Sequence, residues 1–168
     1  RIAELPIAGM PHLGSGISWE RNGHRVVAIP HLNEPRISVI DMEDWSLIKT
    51  IETSGPGFFL RSHDGTPYLW ADVFTGENKG QMHIIDKQSL EVVQVLTPEP
   101  GKTVAHTEFT KDGSRALVSI RNTWVAAPPP RRIIRLPKFC ASSVMRSKLP
   151  STVSYTAERP TASSTTGS

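Results

Sequence analysis

A turn-and-strand pattern repeats at intervals of a little under fifty residues, and it constrains this chain more than any other feature. Asn22-Gly23 precedes Arg25-Val26-Val27-Ala28-Ile29, Asp64-Gly65 precedes Tyr68-Leu69-Trp70-Ala71-Asp72-Val73, and Asp112-Gly113 precedes Arg115-Ala116-Leu117-Val118-Ser119-Ile120. The Asx-Gly pairs lie 42 and then 48 residues apart. Each pair suits a tight turn needing positive φ, and each following run is rich in strand formers. A second unit recurs at a spacing of 45 residues: Ile37-Ser38-Val39-Ile40-Asp41 and Met82-His83-Ile84-Ile85-Asp86. After each comes a polar turn and another strand, Leu47-Ile48-Lys49-Thr50-Ile51 and Glu91-Val92-Val93-Gln94-Val95-Leu96. About four short strands per ~40–50 residues is the pattern of a β-propeller blade. Helical periodicity is absent over the same stretch. The competing reading is a β-sandwich with coincidental spacing.

Residues 1–123 supply about two and a half such units, whereas a propeller closes with at least ~4 blades. The expected fold class is therefore all-β, a partial β-propeller of antiparallel four-stranded blades. An open arc of blades exposes strand edges and apolar faces, so the isolated piece is expected to be unstable. Asp41, Asp86 and Asp112 fall at the repeated turns, where a carboxylate most simply accepts hydrogen bonds from backbone amides.

Charge divides the chain at the same place as the pattern. The formal net charge is +3, but residues 1–123 carry 12 basic and 15 acidic side chains, and residues 124–168 carry 7 basic and 1 acidic. The basic excess belongs to the tail, and no aromatic residues alternate with Lys or Arg as a base-stacking platform requires, so nucleic acid is not an expected partner. The tail opens Ala126-Ala127-Pro128-Pro129-Pro130-Arg131-Arg132 and ends in Ser and Thr. Consecutive prolines block helix and ladder alike, and the polar end has little to bury. Residues 124–168 are accordingly expected to be a disordered basic extension, or the product of a shifted reading frame. Ile133-Ile134-Arg135-Leu136 is the one stretch there that reads as a strand stub. No apolar run reaches the ~20 residues of a membrane helix. The first residues lack the pattern of a signal peptide, and with Arg1 at the start a mature product or an internal fragment is expected. The single Cys140 excludes an internal disulfide, a Cys-x-x-Cys pair and a Cys-rich metal site.

Among the 6 histidines, none is spaced from another as a close metal-binding pair, so no metal site is expected from them. His12 lies in Met10-Pro11-His12-Leu13-Gly14-Ser15-Gly16, where Pro11 stiffens the entry and the glycines allow close approach of a bound group. That loop lacks the Lys and the strand–loop–helix context of a phosphate cradle. No Gly-x-Ser-x-Gly elbow is present for a serine hydrolase. His24 reads as solvated and His83 as structural.

Read together, Met10-Pro11-His12-Leu13-Gly14-Ser15-Gly16, Ile29-Pro30-His31-Leu32, Gly57-Phe58-Phe59-Leu60-Arg61-Ser62-His63 and Val104-Ala105-His106-Thr107-Glu108-Phe109 resemble the C-terminal part of the haem d1 propeller. That is the domain of cytochrome cd1 nitrite reductase and of its relatives in haem d1 biogenesis. The resemblance runs over residues 1–121, and the tail departs from it. It implies an eight-bladed ring around a non-covalent haem d1, a periplasmic location, a c-type cytochrome as electron donor and a homodimeric parent. It implies that His12 is a distal histidine above the iron, that Phe59 packs on the macrocycle, and that His106 stands where the reductases carry a Gln at the haem. Ser15 stands where they carry an Arg, and His31 and His63 match histidines with structural roles. The leading expectation is a fragment of a haem d1 nitrite reductase, inactive alone, with His12 binding the anion and donating protons. The alternative is a haem d1 biogenesis or carrier protein taking a haem d1 intermediate, which the departures at Ser15 and His106 favour. A non-catalytic propeller for protein contacts is the second alternative.

Overall fold

The computed structural model describes residues 4–5 and 7–121, together with the backbone of 131–135 and 155–157. Three antiparallel four-stranded sheets follow one another along the chain, each a simple meander. The first holds β1 (Ile17–Arg21), β2 (His24–Pro30), β3 (Arg36–Asp41) and β4 (Leu47–Glu52). The second holds β5 (Leu60–Ser62), β6 (Tyr68–Asp72), β7 (Met82–Asp86) and β8 (Val92–Leu96). The third begins with β9 (Thr103–Phe109) and β10 (Arg115–Arg121), followed by β11 (Arg131–Arg135) and β12 (Tyr155–Ala157). These are the partial propeller's blades, three in number where the repeat pattern alone counts about two and a half. Both β11 and β12 fall inside the segment read as a tail. The rest of residues 124–168, including the proline run and the Ser/Thr-rich end, lies outside the described residues.

Turn chemistry explains much of the register. Arg21 pairs with His24, so Asn22-Gly23 is a two-residue hairpin, and both residues take positive φ (54° and 84°) as such a turn requires. Asp64-Gly65 behaves differently. Its loop is longer, Gly65 keeps negative φ, and its amide donates to His63 Nδ1 at 2.9 Å. The repeated aspartates cap their turns as expected: Asp41 accepts from the Glu43 amide at 2.8 Å, Asp86 from Gln88 and Ser89 at 2.9 and 2.7 Å, and Asp112 from Ser114 at 3.1 Å.

Strand alternation then builds two cores. In the second sheet Leu69, Ala71 and Ile85 face one way, and they meet Val26, Ala28, Ile37, Val39 and Ile51 of the first sheet. Trp70, Met82 and Ile84 face the other way and meet Val104, Ala116, Val118 and Ile120 of the third. Each fully buried aliphatic side chain contributes about 1.5–3 kcal/mol of transfer free energy. The sheets therefore stack face to face, with the opening strands β1, β5 and β9 side by side. Loops entering those strands converge on one end of the arc, and the candidate site lies there.

Candidate functional site

His12 is held by a short strand-like pairing that joins two of the sequence segments singled out above. Its amide donates to the Pro30 carbonyl at 2.8 Å, the Leu32 amide donates to the Met10 carbonyl at 2.9 Å, and Pro11 bridges to His31. His31 is fully buried, and its Nε2 lies 2.9 Å from Ser38 Oγ. Burial and the nearby Arg36 hold its pKa below the ordinary value, against the opposing pull of Glu34. His31 thus plays the structural part expected of it, and it anchors the strip that carries His12.

The imidazole of His12 reaches across to the second sheet. Its Nδ1 lies 2.7 Å from the Phe58 carbonyl oxygen, which fixes Nδ1 as the protonated, donating nitrogen and leaves Nε2 with its lone pair. Ser15 closes the single 3-10 turn formed by Leu13–Ser15 and is 3% exposed. Its hydroxyl donates to the Phe58 carbonyl at 2.5 Å, and its oxygen lies 2.9 Å from His12 Nδ1. Ser15 therefore stands behind the histidine and orients it. Ser15 is expected from the resemblance at the cofactor site, and the partners its hydroxyl has here are His12 and the Phe58 carbonyl.

Phe58 and Phe59 continue an aromatic row. Ring centroids are 4.4 Å apart for His12 and Phe58, 4.8 Å for Phe58 and Phe59, and 4.9 Å for Phe59 and His106. Phe74 packs behind Phe58 at 5.3 Å. Three of the sequence-derived residues, His12, Phe59 and His106, are thus brought together from three successive sheets. His24, His63 and His83 lie elsewhere. His24 is exposed beside Asp41 and Glu43, His63 Nε2 donates to the Lys111 carbonyl at 3.1 Å, and His83 is buried in β7 with its pKa lowered by burial.

His106 sits where β9 departs from regular pairing. Ser119 faces Ala105 and Val118 faces Thr107, so His106 is the extra residue of a bulge, and its φ is +59°. Bulges of this kind re-aim a side chain, and here the ring turns toward Phe59. Its Nε2 lies 3.2 Å from Arg61 Nη2 and 3.0 Å from Glu108 Oε1. A guanidinium only donates and a carboxylate only accepts. His106 Nε2 therefore accepts from Arg61 when bare and donates to Glu108 when protonated. Arg61 also lies 5.9 Å from the Phe59 ring centre. Arg61, Glu108, Phe58 and the buried Asp72 beneath them were not picked out from sequence. Arg61 and Phe58 do fall within the segment that carries Phe59, and Glu108 within the one that carries His106.

Comparison with known proteins places the chain in a family. The dihydro-heme d1 dehydrogenase of Pseudomonas aeruginosa is 51% identical over 120 residues, which is 71% of this chain and 24% of that protein. Protein NirF of Stutzerimonas stutzeri is 28% identical over 119 residues, 71% of this chain and 29% of its own length. The chain thus spans about a quarter of the curated relatives it matches. Among solved structures, dihydro-heme d1 dehydrogenase NirN in complex with DHE superposes with a TM-score of 0.72 at 46% identity, covering 80% of this chain and 28% of that one. Hydrazine synthase of Kuenenia stuttgartiensis, with a TM-score of 0.56 and 18% identity, shares the fold, covering 67% of this chain and 36% of its own. Residues 1–127 match the cytochrome D1 heme domain, and the chain belongs to that family.

Proposed function

We propose that this chain is one wall of the tetrapyrrole pocket in a periplasmic haem d1 biogenesis protein, and that the whole protein acts on a dihydro-haem d1 intermediate. The observation that carries the reading is the row His12–Phe58–Phe59–His106 at one end of three adjacent sheets, in a chain half identical to a dihydro-heme d1 dehydrogenase. The nitrite reductase reading has less support, because the relatives named above are that dehydrogenase and a NirF protein. No helix among the described residues is long and apolar enough to cross a membrane.

The residues present suit a flat, acid-bearing macrocycle. Phe58 and Phe59 are partly exposed aromatic faces on which an extended ring system can lie. Arg61 brings a positive charge toward a carboxylate substituent, with Nη1 on the Leu60 carbonyl, Nη2 at His106 and Nε 3.6 Å from Glu108 Oε1. His12 presents a bare Nε2 whose orientation is set by the Phe58 carbonyl and Ser15. When bound, haem d1 supplies an iron tetrapyrrole that can exchange electrons. Removing two hydrogens from a dihydro compound also requires somewhere for protons to go, and the imidazoles of His12 and His106 are at hand. His12 takes a proton at Nε2 while Nδ1–H stays on Phe58. His106 takes one at Nε2 and passes its hydrogen bond from Arg61 to Glu108. The two electrons leave one at a time, and two one-electron equivalents of a c-type cytochrome are the electron partner this reading calls for.

The test uses the whole protein. Phe59→Ala should weaken haem d1 binding about tenfold, read by absorbance titration, and His12→Ala should slow conversion of dihydro-haem d1 while leaving binding within about twofold. Steady nitrite turnover with no conversion of dihydro-haem d1 would return the reading to the reductase.

A further inference from the structure

The His106 bulge leaves a backbone N–H without a ladder partner, and a buried carboxylate from another strand takes it. Asp72, the last residue of β6, is 3% exposed. Its Oδ1 accepts from the amides of Phe58 and Phe59 at 2.8 and 2.9 Å, and its Oδ2 accepts from the amide of His106 at 3.4 Å. The backbone around it is equally close. The Asp72 amide donates to the Phe59 carbonyl at 3.3 Å, and a Cβ at Gly57 would lie 2.7 Å from the Asp72 carbonyl oxygen. Gly57 is thus required so that the Phe58-Phe59 segment can come down onto Asp72. One carboxylate ties together the two stretches of backbone that carry the aromatic row, one entering β5 and one within β9.

Resting on the proposed tetrapyrrole site, we infer that Asp72 is a positioning residue for that site: it sets the placement of His106 against Phe59 by holding the amides of Phe58, Phe59 and His106 on one buried carboxylate. The chemistry requires two acceptor oxygens. An amide side chain has one oxygen and one NH₂ group. With its oxygen on Phe58 and Phe59, an Asn at this position turns a donor toward the His106 N–H, so the bulge loses its tether while the side-chain volume is kept. Asp86 offers a matched contrast, because its Oδ1 accepts two amides in an exposed turn of the next strand, remote from His106.

The experiment compares Asp72→Asn with Asp86→Asn in the whole protein carrying ¹³C-labelled histidine. The His106 ring signal is assigned by its loss in His106→Gln. The inference expects that signal to move in Asp72→Asn and stay fixed in Asp86→Asn, without tetrapyrrole. Conversion of dihydro-haem d1 should fall about 10-fold or more in kcat with KM nearly unchanged, and Asp72→Asn should cost little further in a His106→Gln background. An unmoved His106 signal, or full additivity with His106→Gln, overturns the inference. A moved signal in a protein that never converts dihydro-haem d1 supports the positioning role and removes the functional reading instead. If Asp72→Asn does not accumulate, hydrogen exchange on the unmodified protein decides. Peptides covering 57–60 and 104–107 should lose protection together, and independent exchange in the two overturns the inference.

Discussion

Ser15→Ala separates two accounts of the loop that carries His12. In the sequence comparison Ser15 takes the place of a cofactor-facing arginine. In the structure its hydroxyl is buried against the Phe58 carbonyl and His12 Nδ1. Removing it deletes one hydrogen bond but orphans no buried acceptor, since Phe58 keeps the bond from His12. The cost should therefore sit near the ordinary net value, about 1 kcal/mol. In an eight-bladed ring of about 360 residues that corresponds to roughly 1–2 °C in Tm. Haem d1 affinity should change by less than about threefold, because the hydroxyl does not reach the ligand. The rate should fall up to about tenfold, because the ring loses one of the two groups that hold it. Differential scanning fluorimetry, absorbance titration and single-turnover conversion of dihydro-haem d1 report these three quantities. A loss of affinity as large as that of Phe59→Ala would mean that Ser15 touches the ligand, and the buried-support account would be wrong. An unchanged Tm and rate together would refute the hydrogen bonds on which the account rests.

Further predictions concern backbone and protonation. At His106, with φ of +59°, glycine should be better tolerated than alanine by about 1 kcal/mol, reversing the usual order, and denaturant midpoints of His106→Gly and His106→Ala compare them directly. Gly80→Ala should remove about 2 kcal/mol or more, because φ is +103° and the new Cβ would lie 2.1 Å from the Lys102 carbonyl oxygen; a normal yield and melting curve would contradict this. His31 and His83 are buried with folded pKa values below 6.5, so the unfolded chain binds protons first and their contribution is full above 6.5 and lost as pH falls below it. Urea midpoints at about pH 7.5 and about pH 5.5 should therefore diverge, and His83→Gln should narrow the gap.

The strands after each turn were legible because turn residue and alternation agreed. The run from Met82 to Asp86 reads as a strand and is β7, and Arg25 to Ile29 lies within β2, His24–Pro30. β1 escaped notice because its residues are polar or half-buried throughout. β9 was obscured by its own bulge. His106 is the unpaired residue within it, and a bulge shifts the alternation on which a strand reading depends. His12, Phe59 and His106 could be named from a resemblance, but their mutual placement comes from sheets stacking in order. The roles of Asp72 and Arg61 depend on partners 34 and 45 residues away, and no local pattern encodes such a pairing.

His12 rides on the first sheet through its pairing with residues 30–32, whereas the carbonyl it grips belongs to the entrance of the second. Any motion that parts these two blades at this end must break that clasp. The imidazole is thus a latch across a seam. A widening of the ring at that end would release it, exchanging a held imidazole for one free to turn.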